Sequence, residues 1–198
     1  MNALSSITPD QNLNAFAEFV DEFSALIDEA PVEAELIARG GRLLSDLVGR
    51  DDWLPASHAA PDRERFRQYL LYLDPLERFS VVSFVWGPGQ ATPVHDHRVW
   101  GLVGVLRGAE FNESFVRDEE GAIRANGPVR TLYPGDIETV SPRFGDIHRV
   151  ANAYDDRISI SIHVYGADIG KVERATYDRS GQAKPFVSGY YPLPALLS

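Results

Sequence analysis

The stretch Arg157-Ile158-Ser159-Ile160-Ser161-Ile162-His163-Val164-Tyr165 alternates with a period of two. On a strand, Ile158, Ile160, Ile162 and Val164 fall on one face, and Arg157, Ser159, Ser161, His163 and Tyr165 fall on the other. Further short β-rich runs lie upstream, at 79–86, 101–106, 110–116, 129–132, 139–140 and 148–151. Turn signals separate them: Gly87-Pro88-Gly89, Arg107-Gly108, Glu120-Gly121, Gly127-Pro128 and Pro134-Gly135-Asp136. Many short strands at this spacing predict an all-β sandwich or barrel.

The pattern differs upstream of Asp74-Pro75. Thr8-Pro9-Asp10-Gln11 reads as a helix start, with Thr8 as the cap and Pro9 at the first helical position. Phe16, Phe19, Val20, Phe23, Leu26 and Ile27 then form one apolar stripe. Pro31 opens a second helix with Leu36, Ile37, Leu43, Leu44 and Leu47 as its buried face, weakened or kinked at Gly40-Gly41. A third helical run is expected over 61–73, carrying Phe66, Tyr69, Leu70 and Leu73. The tail, 177–198, is rich in Pro, Gly and Tyr and reads as an ordered wrap over the barrel. The expectation is one domain over 1–198, with a helical segment (1–74), a β-barrel core (75–176) and the wrap (177–198).

The chain has 198 residues, 44% of them hydrophobic and 24% charged, an ordinary globular composition that excludes disordered and fibrous classes. No apolar run approaches the ~20 residues that span a bilayer. Residues 1–11 lack a basic segment followed by an apolar one, so a cytoplasmic protein is expected. The net charge of −10 argues against nucleic acid or an anionic membrane as partner. A small anionic ligand would need a local cation. With no cysteine, disulfides, thiolate metal sites and Cys nucleophiles are excluded. The oligomeric state is not legible.

Four of the five histidines fall in two clusters. His95 and His97, in Pro93-Val94-His95-Asp96-His97, would share one face of a strand, where both rings can reach one metal ion. Two strand histidines making ordinary hydrogen bonds is the competing reading. His148, in Gly145-Asp146-Ile147-His148, lies about fifty residues on, and a barrel can return it beside the first pair. Three neutral imidazoles with open positions make a catalytic metal site, and iron, zinc, manganese, nickel or copper all suit such ligands. The fourth of these histidines, His163, shares its strand face with Ser161 and Tyr165. That face is either a solvated polar surface or a hydrogen-bonded row in which Ser161 and His163 orient the Tyr165 hydroxyl. A Ser–His nucleophile is disfavoured, because both residues share a strand and no G-x-S-x-G elbow is present. His58 is expected to be exposed, and Trp86 and Trp100 to pack in the core or the pocket wall.

Together these residues resemble the cupin superfamily, whose fold is a double-stranded β-helix (jelly-roll barrel). Gly89-Gln90-Ala91-Thr92-Pro93-Val94-His95-Asp96-His97, closed by Gly108, is similar to its first motif, and Pro142-Arg143-Phe144-Gly145-Asp146-Ile147-His148-Arg149-Val150-Ala151-Asn152 to its second. Gly101 stands where most metal cupins carry a Glu ligand. A three-His cupin with a Ser-x-His-x-Tyr row, here Ser161-Ile162-His163-Val164-Tyr165, resembles the cysteine dioxygenase (thiol dioxygenase) family.

That resemblance implies Fe(II) on His95, His97 and His148, and addition of both atoms of O2 to the sulfur of a small thiol carboxylate. Tyr165 would hold the substrate through its hydroxyl, oriented by His163 and Ser161. Animal members carry a Cys at the Gly101 position, crosslinked to the active-site Tyr; here Tyr165 would be a free phenol. Their carboxylate-binding Arg falls at about Leu71. Bacterial relatives that prefer 3-mercaptopropionate carry an Arg after the Ser-His-Tyr strand, where Arg174 stands, so Arg174 is expected to bind the substrate carboxylate and 3-mercaptopropionate to be favoured. Arg174 as a surface charge, L-cysteine as substrate, and a non-catalytic metal-binding cupin are the alternatives.

Overall fold

The structure, a computed structural model, describes residues 9–197. The cap expected at Thr8 lies outside them. Helix α1 (Pro9–Asp28) and helix α2 (Glu33–Val48) pair, and their apolar stripes are buried as expected. Phe16, Phe23 and Leu44 are inaccessible to solvent, each burial worth roughly 1.5–3 kcal/mol. Gly40-Gly41 does not interrupt α2. Gly40 lies where the helices touch: a Cβ there would stand 2.8 Å from Phe23 Cε2.

The third expected helix is absent. After a single 3-10 turn (Ala56–His58) the chain enters strand β1 (Arg67–Leu73). The three- and four-residue spacing of Phe66, Tyr69, Leu70 and Leu73 imitates a helical stripe, but antiparallel pairing with β2 (Ser80–Trp86) prevails. A register shift between Leu70 and Tyr72 accounts for the broken alternation. The helical segment therefore ends at Val48, and the barrel takes residues from upstream of 75.

The remaining strands are β3 (Val94–His95), β4 (Gly101–Arg107), β5 (Glu110–Arg117), β6 (Ile123–Ala125), β7 (Arg130–Leu132), β8 (Ile137–Val140), β9 (Ile147–Asn152), β10 (Ser159–Tyr165), β11 (Arg174–Tyr177) and β12 (Ala183–Phe186). One sheet runs β1-β2-β10-β4-β8; the other runs β12-β11-β3-β9-β5-β6, with β7 also on β5. Successive strands cross between sheets, from β2 to β3 to β4 to β5, and again from β8 to β9 to β10 to β11. This is a double-stranded β-helix, the jelly-roll solution to closing antiparallel sheets.

The helices cover the outer face of the first sheet. Val81, Val85, Leu102, Leu106, Ile160, Ile162 and Val164 pack with them in one core. The opposite face of that sheet, with Val82, Phe84, Trp86 and Tyr165, turns into the barrel. Strand β10 is thus buried on both sides. From Ser159 to Tyr165 the polar face of the decisive stretch is interior, not solvated, whereas Arg157, before the strand, is exposed. After β12 the tail runs back along β1, where Tyr191 N–H donates to Gln68 O (2.8 Å) and Leu196 N–H to Leu71 O (2.9 Å). Among the described residues no helix is long and apolar enough to cross a membrane.

Candidate metal centre

His95 ends β3 and is the register partner of His148 on β9. Pairing across the sheet is what closes the long sequence gap. His97 lies beyond β3, so the expected single strand face is only half right. Arg98 adopts φ 60°, a left-handed turn that swings the chain, and Asp146 holds it there. Asp146 Oδ1 accepts the His97 N–H (3.1 Å) and Oδ2 the Arg98 N–H (2.9 Å).

The three rings converge, with centroids 4.7–4.8 Å apart. Their candidate ligand atoms lie within 4.8 Å of one another, and all three residues are buried. Each Nδ1 has an oxygen partner: Pro93 O for His95 (3.0 Å), Asp146 O and Oδ1 for His97 (3.2 Å each), Asn112 Oδ1 for His148 (2.8 Å). An Nδ1–H donated to oxygen leaves each Nε2 with a free lone pair, the tautomer a metal requires. His97 Nε2 is buried with no partner, an orphan that a cation would satisfy. Burial holds the His95 and His148 pKa values well below the ordinary imidazole range, so both are neutral. The set fits one metal ion held by three nitrogens, and among the described residues no carboxylate joins it.

The ring of Tyr165 stacks on His97 at 5.4 Å and 18°. Its hydroxyl lies 2.8 Å from His163 Nδ1, whose Nε2 lies 2.8 Å from Ser161 Oγ; Trp86 Nε1–H donates to that Oγ at 3.2 Å. The hydrogen-bonded row is real and buried. Burial keeps His163 neutral and pushes the Tyr165 hydroxyl well above its ordinary pKa. The chain between the sheets therefore consists of groups that share protons rather than carry charge.

A cavity of about 610 Å³ opens onto His95, His148, His163, Tyr165 and Arg174. Phe66, Phe84 and Trp86 form an aromatic wall to it. Arg174 opens β11 and is only 3% exposed, so it is not a surface charge. One Nη–H donates to Ser188 Oγ (2.7 Å), the guanidinium lies over the Phe186 ring (4.7 Å), and Nε–H has no partner. Burial lowers its pKa, against the pull of Tyr165 and Asp96. No carboxylate ion-pairs with it among the described residues, and a buried cation in that state favours an anion beside it.

Sequence reasoning placed the animal-type Arg position at Leu71, which faces the helix-side core and is fully buried. The β1 residues that line the cavity are Arg67 and Gln68; Gln68 Nε2 donates to Gly189 O (3.0 Å) and Ser188 Oγ (3.2 Å). His58, expected at the surface, is buried, with Nε2 at 3.0 Å from Pro194 O and Nδ1 at 3.0 Å from Ser57 Oγ. Asn112 and Ser188 were not singled out. A signal for Asn112 exists in β5, where Glu110 and Asn112 are buried while Phe111 between them is 39% exposed, an inverted polarity.

No family model matches the chain. Solved structures do. One is a conserved protein with a double-stranded β-helix domain from Klebsiella pneumoniae, with 20% identity, a TM-score of 0.48, and coverage of 62% of this chain and 93% of that one. A cupin superfamily protein from Desulfitobacterium hafniense is similar at 16% identity and TM-score 0.44, over 60% of this chain and 94% of its own. A cupin 2 conserved barrel domain protein from Rhodopseudomonas palustris is similar at 15% identity and TM-score 0.43, over 60% and 73%. The strand order described above is this chain's own, and it is that of a double-stranded β-helix with a three-histidine site able to hold a metal.

Proposed function

We propose that the protein is an Fe(II)-dependent thiol dioxygenase acting on a small thiol carboxylate, with 3-mercaptopropionate favoured over L-cysteine. The observation that carries this reading is the coincidence of a converging three-imidazole cluster, two of whose rings line the cavity, with an oriented tyrosine hydroxyl and a buried cation without an ion-pair partner in that same cavity. A further observation supports it. Gly101, where animal members of the resembled family carry a crosslinked Cys, lies against the Tyr165 ring: a Cβ there would stand 2.7 Å from Cδ1 and 2.8 Å from Cε1.

Ferrous iron, bound by His95, His97 and His148, supplies the redox chemistry that lets dioxygen react with a sulfur anion. The chain's own residues do the rest. Arg174 pairs with the substrate carboxylate by a charge-assisted bond, and Ser188 holds the guanidinium in place. This anchors the substrate's far end and leaves its sulfur toward the imidazoles. The aromatic wall excludes water and strengthens both polar contacts. His163 and Ser161 fix the Tyr165 hydroxyl, which bonds the substrate at the reacting end. Both oxygen atoms end on sulfur, the thiol becomes a sulfinic acid, and the sulfur itself supplies the electrons that reduce dioxygen.

The test is anaerobic loading with Fe(II), addition of 3-mercaptopropionate, L-cysteine or cysteamine, then measurement of oxygen uptake and of the sulfinate by mass spectrometry. Stoichiometric sulfinate from 3-mercaptopropionate is expected. Iron binding without oxygen uptake on any of the thiols would reduce the protein to a metal-binding cupin.

A further inference from the structure

Ser188 stands in the tail just after β12 and lines the same cavity as Arg174 and Gln68. Two side chains approach its hydroxyl oxygen: an Arg174 Nη at 2.7 Å and Gln68 Nε2 at 3.2 Å. Both can only donate. A guanidinium has no acceptor. The Gln68 amide has one allowed orientation, because the same nitrogen lies 3.0 Å from Gly189 O, and a carbonyl only accepts. Both lone pairs of the Ser188 oxygen are therefore taken, and its proton points elsewhere. Among the described residues no acceptor meets that proton. Ser188 is exposed and lines the cavity, so the proton goes to whatever fills the cavity.

We propose that Ser188 is a substrate-binding residue, whose hydroxyl donates to the same carboxylate that Arg174 pairs with. The inference rests on the reading of Arg174 as the carboxylate site, and goes beyond it, since there Ser188 only steadies the guanidinium. An anion at this end meets an O–H and an N–H side by side, one for each carboxylate oxygen. Gln68 makes the arrangement one-sided: by filling the second lone pair it leaves the Ser188 hydroxyl as a donor only. A subsite built of a cation and a fixed donor offers an ammonium group nothing to bond. It selects thiols with an anionic far end against aminothiols.

The test is calorimetric titration of the Zn(II)-loaded full chain, without oxygen and so without turnover, using 3-mercaptopropionate and cysteamine as probes. Ser188→Ala is expected to weaken 3-mercaptopropionate binding by about 10-fold, the low end for a hydrogen bond to a charged group. Ser188→Thr keeps the hydroxyl and should bind as the wild type does. Cysteamine should bind equally to all three proteins. The same pair is then compared in an Arg174→Ala background, where there is no guanidinium to steady. A direct donor still loses affinity on Ser188→Ala there, whereas a residue that acts only through Arg174 does not. The proposal is overturned if the Ser188→Ala effect vanishes in that background, if cysteamine loses as much as 3-mercaptopropionate, or if the wild type binds no 3-mercaptopropionate. The two readings fail separately. A Ser188 effect on binding without oxygen uptake by the iron-loaded protein would remove the dioxygenase and leave the carboxylate subsite, and oxygen uptake with no Ser188 effect would do the reverse.

Discussion

Gly101 and Tyr165 are register partners across β4 and β10, and a Cβ on the glycine would run into the tyrosine ring. Val140 Cγ2 closes the third side, 2.9 Å from where a Cβ would stand. No side chain fits there without moving Tyr165. Gly101→Ala should therefore cost about 1–3 kcal/mol of stability by overpacking. It should also lower turnover with metal binding intact, because the Tyr165 hydroxyl leaves its bond to His163. Thermal unfolding and metal titration on the same preparation check both halves.

Asn112 touches no substrate position, yet its Oδ1 fixes the tautomer of His148. Asn112→Ala should weaken metal affinity by about 10–100-fold, the usual effect of removing such a partner. His148→Ala should abolish stable binding. Competition with a chromophoric chelator measures both. An unchanged affinity in either variant would remove these rings from the metal site.

Arg174→Ala is expected to raise the KM for thiol carboxylates by about 10–100-fold, the worth of a charge-assisted bond at roughly 1.5–3 kcal/mol. Metal content should not change. Cysteamine, which has no carboxylate, should be handled equally by both proteins. Steady-state kinetics on the paired thiols separate lost anion binding from general damage.

Glu110 marks stability. Its folded pKa of about 8 stands above the ordinary carboxyl value of 4.5, so the native state binds the extra proton between those values. Stability contributed by the protonated form is full at pH below the ordinary value and falls as pH rises toward and through about 8. The loss amounts to a few kcal/mol, at about 1.4 kcal/mol per unit. Glu110→Gln should flatten that decline. Urea unfolding of both proteins at pH values spanning the window gives the difference directly, and parallel curves would show that Glu110 does not carry it.

The strands β2, β4, β5, β9 and β10 were legible because alternation and Gly or Pro turns mark them without help from distant residues. Strand β1 was not: its register irregularity gave its apolar residues helical spacing, and only pairing with β2 decides between the two periods. The short strands β3, β6, β11 and β12 carry too few residues for any pattern, and exist because a neighbour offers an edge. Local sequence marked His95, His97, His148 and the Ser161–Tyr165 row, because histidines are few and their spacing is chemical, whereas Arg174 was singled out only through the family resemblance. Sequence alone left open whether the row faced water and whether Arg174 lay at the surface. Packing of the helices on one side of β10 and of the second sheet on the other settled the first, and the tail bringing Ser188 and Phe186 onto β11 settled the second. Residues that act only through contacts made far along the chain, such as Gln68 and Ser188, carry no local mark, and the inverted polarity of Glu110-Phe111-Asn112 acquires its meaning only from the pairing of strands that the one-dimensional pattern does not encode.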